Sequence, residues 1–159
     1  MKRQRFGLGV ISDTHGLLRP EAIDVLRGSD LIVHAGDIGS PDVLRGLEEL
    51  APVIAVRGNN DHGPWAEELP LTADFELGHA SIYVIHDVNE LDVDPRAAGH
   101  SVVIAGHSHR PLSQTRDGVL FFNPGSAGPR RFKLPISVGH IVIEGSRVTG
   151  LLETLEITT

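Results

Sequence analysis

Short apolar runs alternate with amphipathic stretches through the first half of the chain. Runs at residues 6–12, 31–34 and 53–56 have the length and composition of buried strands. Residues 20–27 form a predicted helix, and Ser40 and Pro41 begin a second one, with serine at the N-cap and proline in the first turn. The resulting β-α-β-α-β order predicts a parallel sheet with crossover helices.

The second half of the chain is richer in strands than in helices. Strand-like segments, separated by turns that contain Gly or Pro, lie at residues 75–77, 81–85, 102–105, 119–122, 138–143 and 148–155. The Glu-Gly-Ser segment at 144–146 is typical of a hairpin turn between the last two strands. The sequence has no repeat, linker or low-complexity tract, so we predict a single α/β domain over residues 1–159 with mixed sheets.

Composition narrows the class of protein. Apolar residues make up 40% of the chain and charged residues 22%, which is ordinary for a globular protein. The absence of cysteine excludes disulfides, thiolate zinc sites and cysteine nucleophiles, and it fits a reducing cytosol. The first apolar run reaches Asp13 too soon for a signal-peptide core, and no segment is long enough to span a membrane. We therefore expect a cytoplasmic protein.

Polar side chains of metal-binding type follow the predicted strands at the point where each strand ends. In an open α/β sheet, the carboxyl ends of the strands border the crevice where ligands bind. Five segments therefore bring such side chains to what we expect to be one edge: Asp13 with His15, Asp37, Asn59 with Asp61, His86, and His107 with His109.

The donor types in this set are carboxylate, imidazole and amide, without sulfur. Such nitrogen and oxygen donors suit Mn, Fe, Co, Ni or Zn in hydrolytic sites with two metal ions. Alternate residues of an extended backbone point to one side, so an extended backbone would let each Asp-x-His or His-x-His pair converge. The tight turns that bring backbone close to an ion or substrate are expected at Gly36, Gly58 and Gly106.

The ordered set of motifs resembles the calcineurin-like metallophosphoesterase superfamily, in its small YfcE-like phosphodiesterase branch. The similarity runs from residue 6 to about residue 157 and includes the Asn-Pro-Gly-Ser segment at 123–126, which is typical of this branch. The resemblance implies a four-layer α-β-β-α sandwich of two mixed sheets flanked by helices. It also implies two divalent transition-metal ions as cofactors, with Mn first and Fe, Zn, Ni or Co as alternatives.

The resemblance also divides the candidate ligands into two groups that share one carboxylate. In the implied mechanism, a hydroxide between the two cations attacks phosphorus in line, while the cations neutralise charge on the phosphoryl oxygens. The shared carboxylate is expected to be Asp37, and the remaining ligands complete the first ion (Asp13, His15 and His109) and the second ion (Asn59, His86 and His107).

Two departures from the wider superfamily bear on catalysis. Many members have a histidine where this chain has Asn60, and that histidine contacts substrate and can protonate the leaving group. An amide donates a hydrogen bond to a phosphoryl oxygen but is no general acid near pH 7. Residues 86–88 read His-Asp-Val where the common motif is His-Gly-His, so its second histidine is missing.

We expect Asp37 and Asn60 to act in catalysis. The phosphate of the substrate is expected to contact Asn59, Asn60, Arg130 and Arg131. Asp61 is expected to brace the Asn59 turn or a histidine beside the ligands, not to bind metal, and the 123–126 segment is expected to form a supporting turn. Trp65, in an apparently polar loop, is expected to be a pocket wall or an oligomer contact. The histidines outside the motifs are expected to be structural or exposed: His34, His62, His79, His100 and His140.

The first functional hypothesis is a metal-dependent phosphodiesterase that acts on a small phosphodiester. The alternatives are a phosphomonoesterase, including a protein phosphatase, and a non-catalytic protein-binding scaffold of the same fold. The net charge of −7 argues against a protein that coats nucleic acid, although a nuclease for short substrates stays open. The resemblance is compatible with a homo-oligomer, either dimer or tetramer, and no membrane partner is expected.

Overall fold

Two five-stranded sheets lie face to face in the computed structural model, which describes residues 4–131 and 133–157. The first sheet contains β1 (Arg5–Ile11), β2 (Leu31–His34), β3 (Val53–Ala55), β9 (Ser137–Glu144) and β10 (Arg147–Thr154), in the order β10-β9-β1-β2-β3. The second contains β4 (Thr72–Leu77), β5 (Ala80–Ile85), β6 (Val102–Ile104), β7 (Leu112–Arg116) and β8 (Val119–Asn123), in the order β4-β5-β6-β8-β7.

Both sheets are mixed, as the sequence predicted. The pairs β1–β2 and β2–β3 are parallel, while β9 runs antiparallel to β1 and to β10. In the second sheet, β5, β6 and β8 are parallel, and β4 and β7 join the edges as antiparallel hairpin partners. The predicted fold class of two mixed sheets in an α/β sandwich is confirmed.

Two helices supply the crossover connections of the parallel part. They are α1 (Pro20–Leu26) between β1 and β2, and α2 (Pro41–Glu48) between β2 and β3. The Ser40 hydroxyl accepts a hydrogen bond of 3.2 Å from the amide of Asp42, so the predicted N-cap of α2 is confirmed. The third helix is a short segment, α3 (Pro64–Glu67).

The core has two main layers because successive residues of a strand face opposite sides of the sheet. Leu8 and Val10 of β1 point between the sheets, where they meet residues such as Val84 of β5. Ile11 and Ile32 belong to the other layer, outside the first sheet, together with buried residues of α1 and α2. This burial of apolar side chains contributes roughly 25 cal/mol for each Å² removed from water.

The outer face of the second sheet has its own smaller apolar cluster. Its buried members are Tyr83, Ile85, Val103, Ala105 and Val119, with Leu91 and Phe121 packed against them. The buried side chains of α1 and α2 lie in the cluster outside the first sheet, so these two helices do not cover this face.

The predicted strands and helices match the structure to within a few residues at their ends, but three elements were missed: β7, α3 and a short 3-10 helix at Val88–Glu90. β7 is exposed along its whole length and carries the polar sequence Ser-Gln-Thr, so no buried-strand pattern marks it. Residues 64–67 form a helix and not a polar loop. Trp65 is partly buried and packs against the cluster outside the first sheet, and its expected role as a pocket wall or an oligomer contact stays a prediction. Across the described residues, no helix is long and apolar enough to cross a membrane.

Candidate metal centre

The strand ends of both sheets meet at one edge of the sandwich. Backbone hydrogen bonds tie the loops together: the amide of Asp13 donates to the carbonyl of Gly36 at 3.0 Å. Across the second sheet, the amide of Gly106 donates to the carbonyl of His86 at 2.9 Å. The structure therefore brings together the side chains that the sequence placed after β1, β2, β3, β5 and β6.

The first ligand group consists of Asp13, His15 and His109. One ligand atom from each lies within 4.8 Å of the other two. The Nε2 atom of His109 is 3.5 Å from Oδ1 of Asp13. Among the described residues, neither this Asp13 oxygen nor Nε2 of His15 has a hydrogen-bond partner, although both atoms are buried. Leaving such a polar atom unpaired costs about 1–3 kcal/mol, so the geometry suits a cation that these atoms would share.

The second ligand group consists of Asp37, His86 and His107, whose ligand atoms also lie within 4.8 Å of one another. Asn59 completes it with an amide oxygen 3.0 Å from Nε2 of His86 and 3.2 Å from Nδ1 of His107. The second group therefore offers one carboxylate, two imidazoles and one amide oxygen.

Asp37 lies between the two groups. Its Oδ2 atom is 3.3 Å from Nε2 of His86 in the second group and 3.9 Å from Nε2 of His15 in the first. A single carboxylate that faces both sets of imidazoles is what the shared ligand of a two-metal site requires. The donor set as a whole, with no sulfur, matches divalent transition-metal ions.

The charges of Asp37 and His86 depend on each other. Burial alone would raise the pKa of Asp37, but hydrogen bonds from His86 and from the backbone and side chain of Asn60 hold it well below its usual range. Burial alone would lower the pKa of His86, but its interactions with Asp37, together with the carbonyl of Ala35, raise it to about 8. Without an ion, the pair is therefore a carboxylate beside an imidazolium at neutral pH.

A backbone contact at Nδ1 fixes the orientation of the His86 ring. Its Nδ1 atom lies 2.7 Å from the carbonyl oxygen of Ala35. A carbonyl only accepts, so Nδ1 carries a proton, and Nε2 is the atom left to face the site. This backbone contact is the kind of support that orients a metal-binding histidine.

The backbone is left-handed at five of the seven candidate ligands, which corrects the expectation of an extended conformation at the Asp-x-His and His-x-His pairs. A positive φ at a residue other than glycine costs on the order of 1–3 kcal/mol and is typical of functional sites. The ligands that adopt it are Asp13 (56°), His15 (47°), Asp37 (56°), His107 (69°) and His109 (63°).

The three glycines of the motifs lie where there is no room for a side chain. A Cβ atom at Gly36 would approach Nδ1 of His86 to 2.5 Å. At Gly58 it would collide with the backbone nitrogen and the carboxylate of Asp37, and at Gly106 with the hydroxyl of Ser12. Each glycine therefore allows one ligand-bearing loop to pack directly against another.

Polar side chains around the ligands brace the loops. The carboxylate of Asp61 accepts hydrogen bonds of 2.9 Å from the amides of Gly39 and Gly58, so Asp61 supports the Asn59 turn. In the 123–126 segment, Asn123 donates to the carbonyl of Gly106 at 2.9 Å, and Ser126 donates to the carbonyl of Asp13 at 3.1 Å. The segment therefore has the geometry of the expected supporting turn.

The predicted substrate contacts are less enclosed. Asn60 is exposed, and its side-chain amide donates to Oδ2 of Asp37 at 3.0 Å. Arg130 and Arg131 are also exposed. They follow Gly128, where a Cβ atom would collide with the carbonyl of Asp13, so this part of the chain passes close to the first ligand group. Asp87, at the second departure, has its Oδ2 atom 3.7 Å from Nε2 of His107.

Sequence reasoning missed the part played by Thr14 and the exact place of His34. Both are fully buried. The amide of Gly36 donates to Nδ1 of His34 at 3.1 Å, so Nε2 carries the proton and donates to the Thr14 hydroxyl at 3.0 Å. Thr14 in turn donates to the carbonyl of Ile38 at 2.8 Å. The signal in the sequence was a histidine at the end of a buried strand, three residues before Asp37.

The chain is similar to known proteins in both sequence and fold. The sequence profile described as the calcineurin-like phosphoesterase superfamily domain matches residues 6–146. A protein of Methanothermobacter thermautotrophicus, named a probable metallophosphoesterase, is 38% identical over 89% of this chain and 88% of its own length. The phosphodiesterase YfcE of Escherichia coli is 27% identical over 82% of this chain and 84% of its own.

The fold is also found among solved structures. Vacuolar protein sorting 29 of Cryptosporidium parvum superposes with a TM-score of 0.76 at 17% sequence identity, over 96% of this chain and 99% of that chain. At that identity the match concerns the fold alone.

Proposed function

Because this chain belongs to the calcineurin-like phosphoesterase superfamily, as its motifs predicted, we propose that it is a metal-dependent hydrolase of phosphodiesters. The observation that carries the proposal is the position of Asp37 Oδ2, 3.3 Å from His86 Nε2 and 3.9 Å from His15 Nε2. This carboxylate joins two complete ligand groups. YfcE, a relative of this protein, bears the name of a phosphodiesterase, and this supports a phosphodiester as the substrate.

The roles of the ligands follow from the two groups. Asp13, His15 and His109 would hold one ion, and Asn59, His86 and His107 the other, with Asp37 shared. Two bound divalent ions would lower the pKa of water and neutralise charge on the phosphoryl oxygens. Mn²⁺ is our first candidate, with Fe, Zn, Ni and Co as alternatives, since imidazole and carboxylate donors suit all of them.

The other residues would position the substrate. The side-chain amide of Asn60 carries two N–H donors and uses one of them in its hydrogen bond to Asp37, which leaves the second for a substrate. It would direct the other to a phosphoryl oxygen. Arg130 and Arg131 would add positive charge on the side of the first ligand group. Within residues 4–131 and 133–157, neither arginine side chain makes a hydrogen bond or an ion pair, so their role stays a prediction.

A metal titration with graded variants tests the proposal. The protein, stripped with chelator, is expected to recover hydrolysis of bis(4-nitrophenyl) phosphate with Mn²⁺ and not with Ca²⁺, because Ca²⁺ binds imidazole poorly. Elemental analysis is expected to find two ions per chain. Asp37→Asn and His107→Ala should each lower kcat/KM by at least about 100-fold at saturating metal, whereas His62→Ala, which changes an exposed histidine outside both groups, should change it little.

Recovery with Ca²⁺ alone, one ion at saturation, or equal losses at Asp37 and His62 would contradict the assignment. Faster hydrolysis of a phosphomonoester than of the diester under the same conditions would favour the alternative of a phosphomonoesterase. A chain that binds no metal would favour the scaffold, although the complete ligand set argues for catalysis. The single domain over residues 1–159, a cytoplasmic location and a homo-oligomer stay predictions.

A further inference from the structure

A cleft of about 540 Å³ opens on the outer face of the second sheet, beside the second ligand group. It exists because alternate residues of the strands face outward, including Val103 of β6 and Phe121 of β8, and neither α1 nor α2 covers them. We call it the apolar cleft, and its lining also includes Asp87, Val88, His107, Arg110, Leu112 and Arg116.

The apolar cleft is continuous with the metal centre. His107, a ligand of the second group, lies in its wall together with Asp87. The same two residues line a neighbouring cleft of about 530 Å³ that also contains Asn59 and His86. Nε2 of His107 is 3.7 Å from Oδ2 of Asp87, and these two side chains lie where the two clefts meet. A phosphate at the second ligand group would therefore have room for one substituent on each side.

The two clefts differ in chemistry. Two carboxylates, those of Glu90 and Asp92, line the neighbouring cleft alone, together with Arg57 and the apolar side chain of Leu71, whereas Asp87 lines both clefts. The apolar cleft is lined mainly by apolar side chains, and two of them, Leu112 (41%) and Val88 (38%), are unusually exposed to water. Burying them under a ligand would be favourable in proportion to the apolar area removed from water.

The apolar cleft also contains positive charge in an otherwise acidic chain. Arg110 and Arg116 both line it, whereas the net charge of the chain is −7. The guanidinium of Arg116 lies 4.3 Å from the centre of the Phe121 ring, so the floor combines a flat aromatic surface with a cation. This pair suits a planar aromatic group, since a guanidinium stacks on aromatic faces.

We propose that the apolar cleft binds one ester arm of the substrate and that this arm is a flat aromatic group. The inference rests on the proposed function, because the phosphate at the metal centre would anchor the arm. The substrate class is then a phosphodiester with two unlike arms: an aromatic one in the apolar cleft and a more polar one in the neighbouring cleft. Leu112, Val88 and Phe121 determine the preference for the aromatic arm.

The test compares two phosphonates that share a head group and cannot be hydrolysed, methylphosphonate and benzylphosphonate. Calorimetric titration of the metal-loaded protein is expected to show benzylphosphonate bound about tenfold or more tightly, because the cleft removes the ring from water. In the double variant Leu112→Gln/Val88→Gln this preference should fall at least threefold, while the affinity for methylphosphonate stays the same.

The matched control is Leu151→Gln/Val93→Gln. Leu151 (51%) and Val93 (38%) are equally exposed apolar residues that line neither cleft. The control is expected to keep the full preference. Equal affinities for the two phosphonates in the native protein, or the same preference in both double variants, would overturn the inference. Failure of the proposed function looks different, since it is the absence of diester hydrolysis with every metal, and these titrations need no turnover.

Discussion

The fully buried imidazole of His34 connects two loops that carry metal ligands. It accepts a hydrogen bond from the amide of Gly36, and it donates to Thr14, which lies between Asp13 and His15. Burial lowers the pKa of His34 to about 4, although the nearby carboxylates of Asp13, Asp61 and Asp37 oppose the shift. The folded protein therefore requires this ring in its neutral form, and that requirement has a consequence for stability in acid.

Acid should destabilise the fold through His34. The ordinary pKa of histidine is 6.5 and that of His34 is about 4. Between these values the unfolded chain binds a proton that the folded chain does not, so the free energy of unfolding falls as pH decreases, by roughly 3 kcal/mol in total. Above pH 6.5 the residue contributes no pH dependence. Urea unfolding at pH 6.5, 6 and 5, in chelator, measures the slope.

The comparison uses two variants. His34→Gln keeps a donor and an acceptor but cannot titrate, so its stability should fall less between pH 6.5 and 5 than that of the native protein. His62→Gln changes an exposed histidine and should keep the native slope. Parallel curves for the native protein and His34→Gln would show that another group governs acid unfolding.

Asn60 is the residue at which this chain departs from many relatives, and the departure predicts a dependence on the leaving group. General acid assistance contributes roughly 10²–10⁴-fold, and an amide cannot supply it. The native enzyme should therefore prefer aryl esters with acidic leaving groups, and Asn60→His should flatten that preference. A series of aryl phosphodiesters with graded leaving-group pKa, run on both proteins, measures the two slopes. The same slope in both would make Asn60 a phosphate contact only.

At the scale of elements, the strand-end loops pack against one another with almost no spare space. Gly58 is the clearest case, since a Cβ atom there would collide with both the backbone and the carboxylate of Asp37. Neither can move away easily, because Asp37 already has a left-handed backbone with φ of 56°. The smallest side chain at Gly58 should therefore displace the shared ligand.

Gly58→Ala is predicted to lower kcat/KM at saturating metal by at least about tenfold and to destabilise the protein by about 1–3 kcal/mol. The matched control is Gly7→Ala in β1, where a Cβ atom would meet only Asp30 Oδ2, at 3.9 Å. The control should differ from the native protein by a few tenths of a kcal/mol. Thermal unfolding and the diesterase assay give both values, and a Gly58→Ala protein with native activity would mean that the Asp37 loop adapts.

The sequence predicted elements best where burial controls the pattern. β2 was predicted at residues 31–34 and is Leu31–His34. The pattern is clear because the residues of β2 alternate between the two packed layers on either side of the first sheet. β7 has no buried residue, so only its pairing with β8 makes it a strand. The motifs predicted where the ligand loops lie, but they did not predict the left-handed backbone of these loops. That conformation depends on contacts between loops that are far apart in the chain. The arrangement of Thr14, His34 and Ile38 is likewise a tertiary property.

At the scale of the whole molecule, the metal centre joins the two sheets. Asp13, Asp37 and Asn59 follow strands of the first sheet, whereas His86 and His107 follow strands of the second. In the absence of an ion, the ion pair between Asp37 and His86, at 3.3 Å, is one of the contacts that link them, beside the hydrogen bond of His86 to the carbonyl of Ala35. Metal binding would replace this ion pair with bonds to a shared cation, so binding and protonation are coupled.

Metal binding is therefore predicted to release a proton from His86. Its pKa of about 8 means that the ring is mostly charged at pH 7, and a charged imidazole cannot be a ligand. The ion pair stabilises the metal-free fold below pH 6.5, and this contribution is lost as pH rises through 8, where metal affinity should correspondingly increase.

Calorimetry in buffers with different ionisation enthalpies should find about one more proton released at pH 7 than at pH 9. His62→Ala should behave like the native protein, and His86→Ala should lose the difference. A proton count that is the same at both pH values in the native protein would show that His86 is already neutral, and the coupling between the sheets would then have to come from another pair.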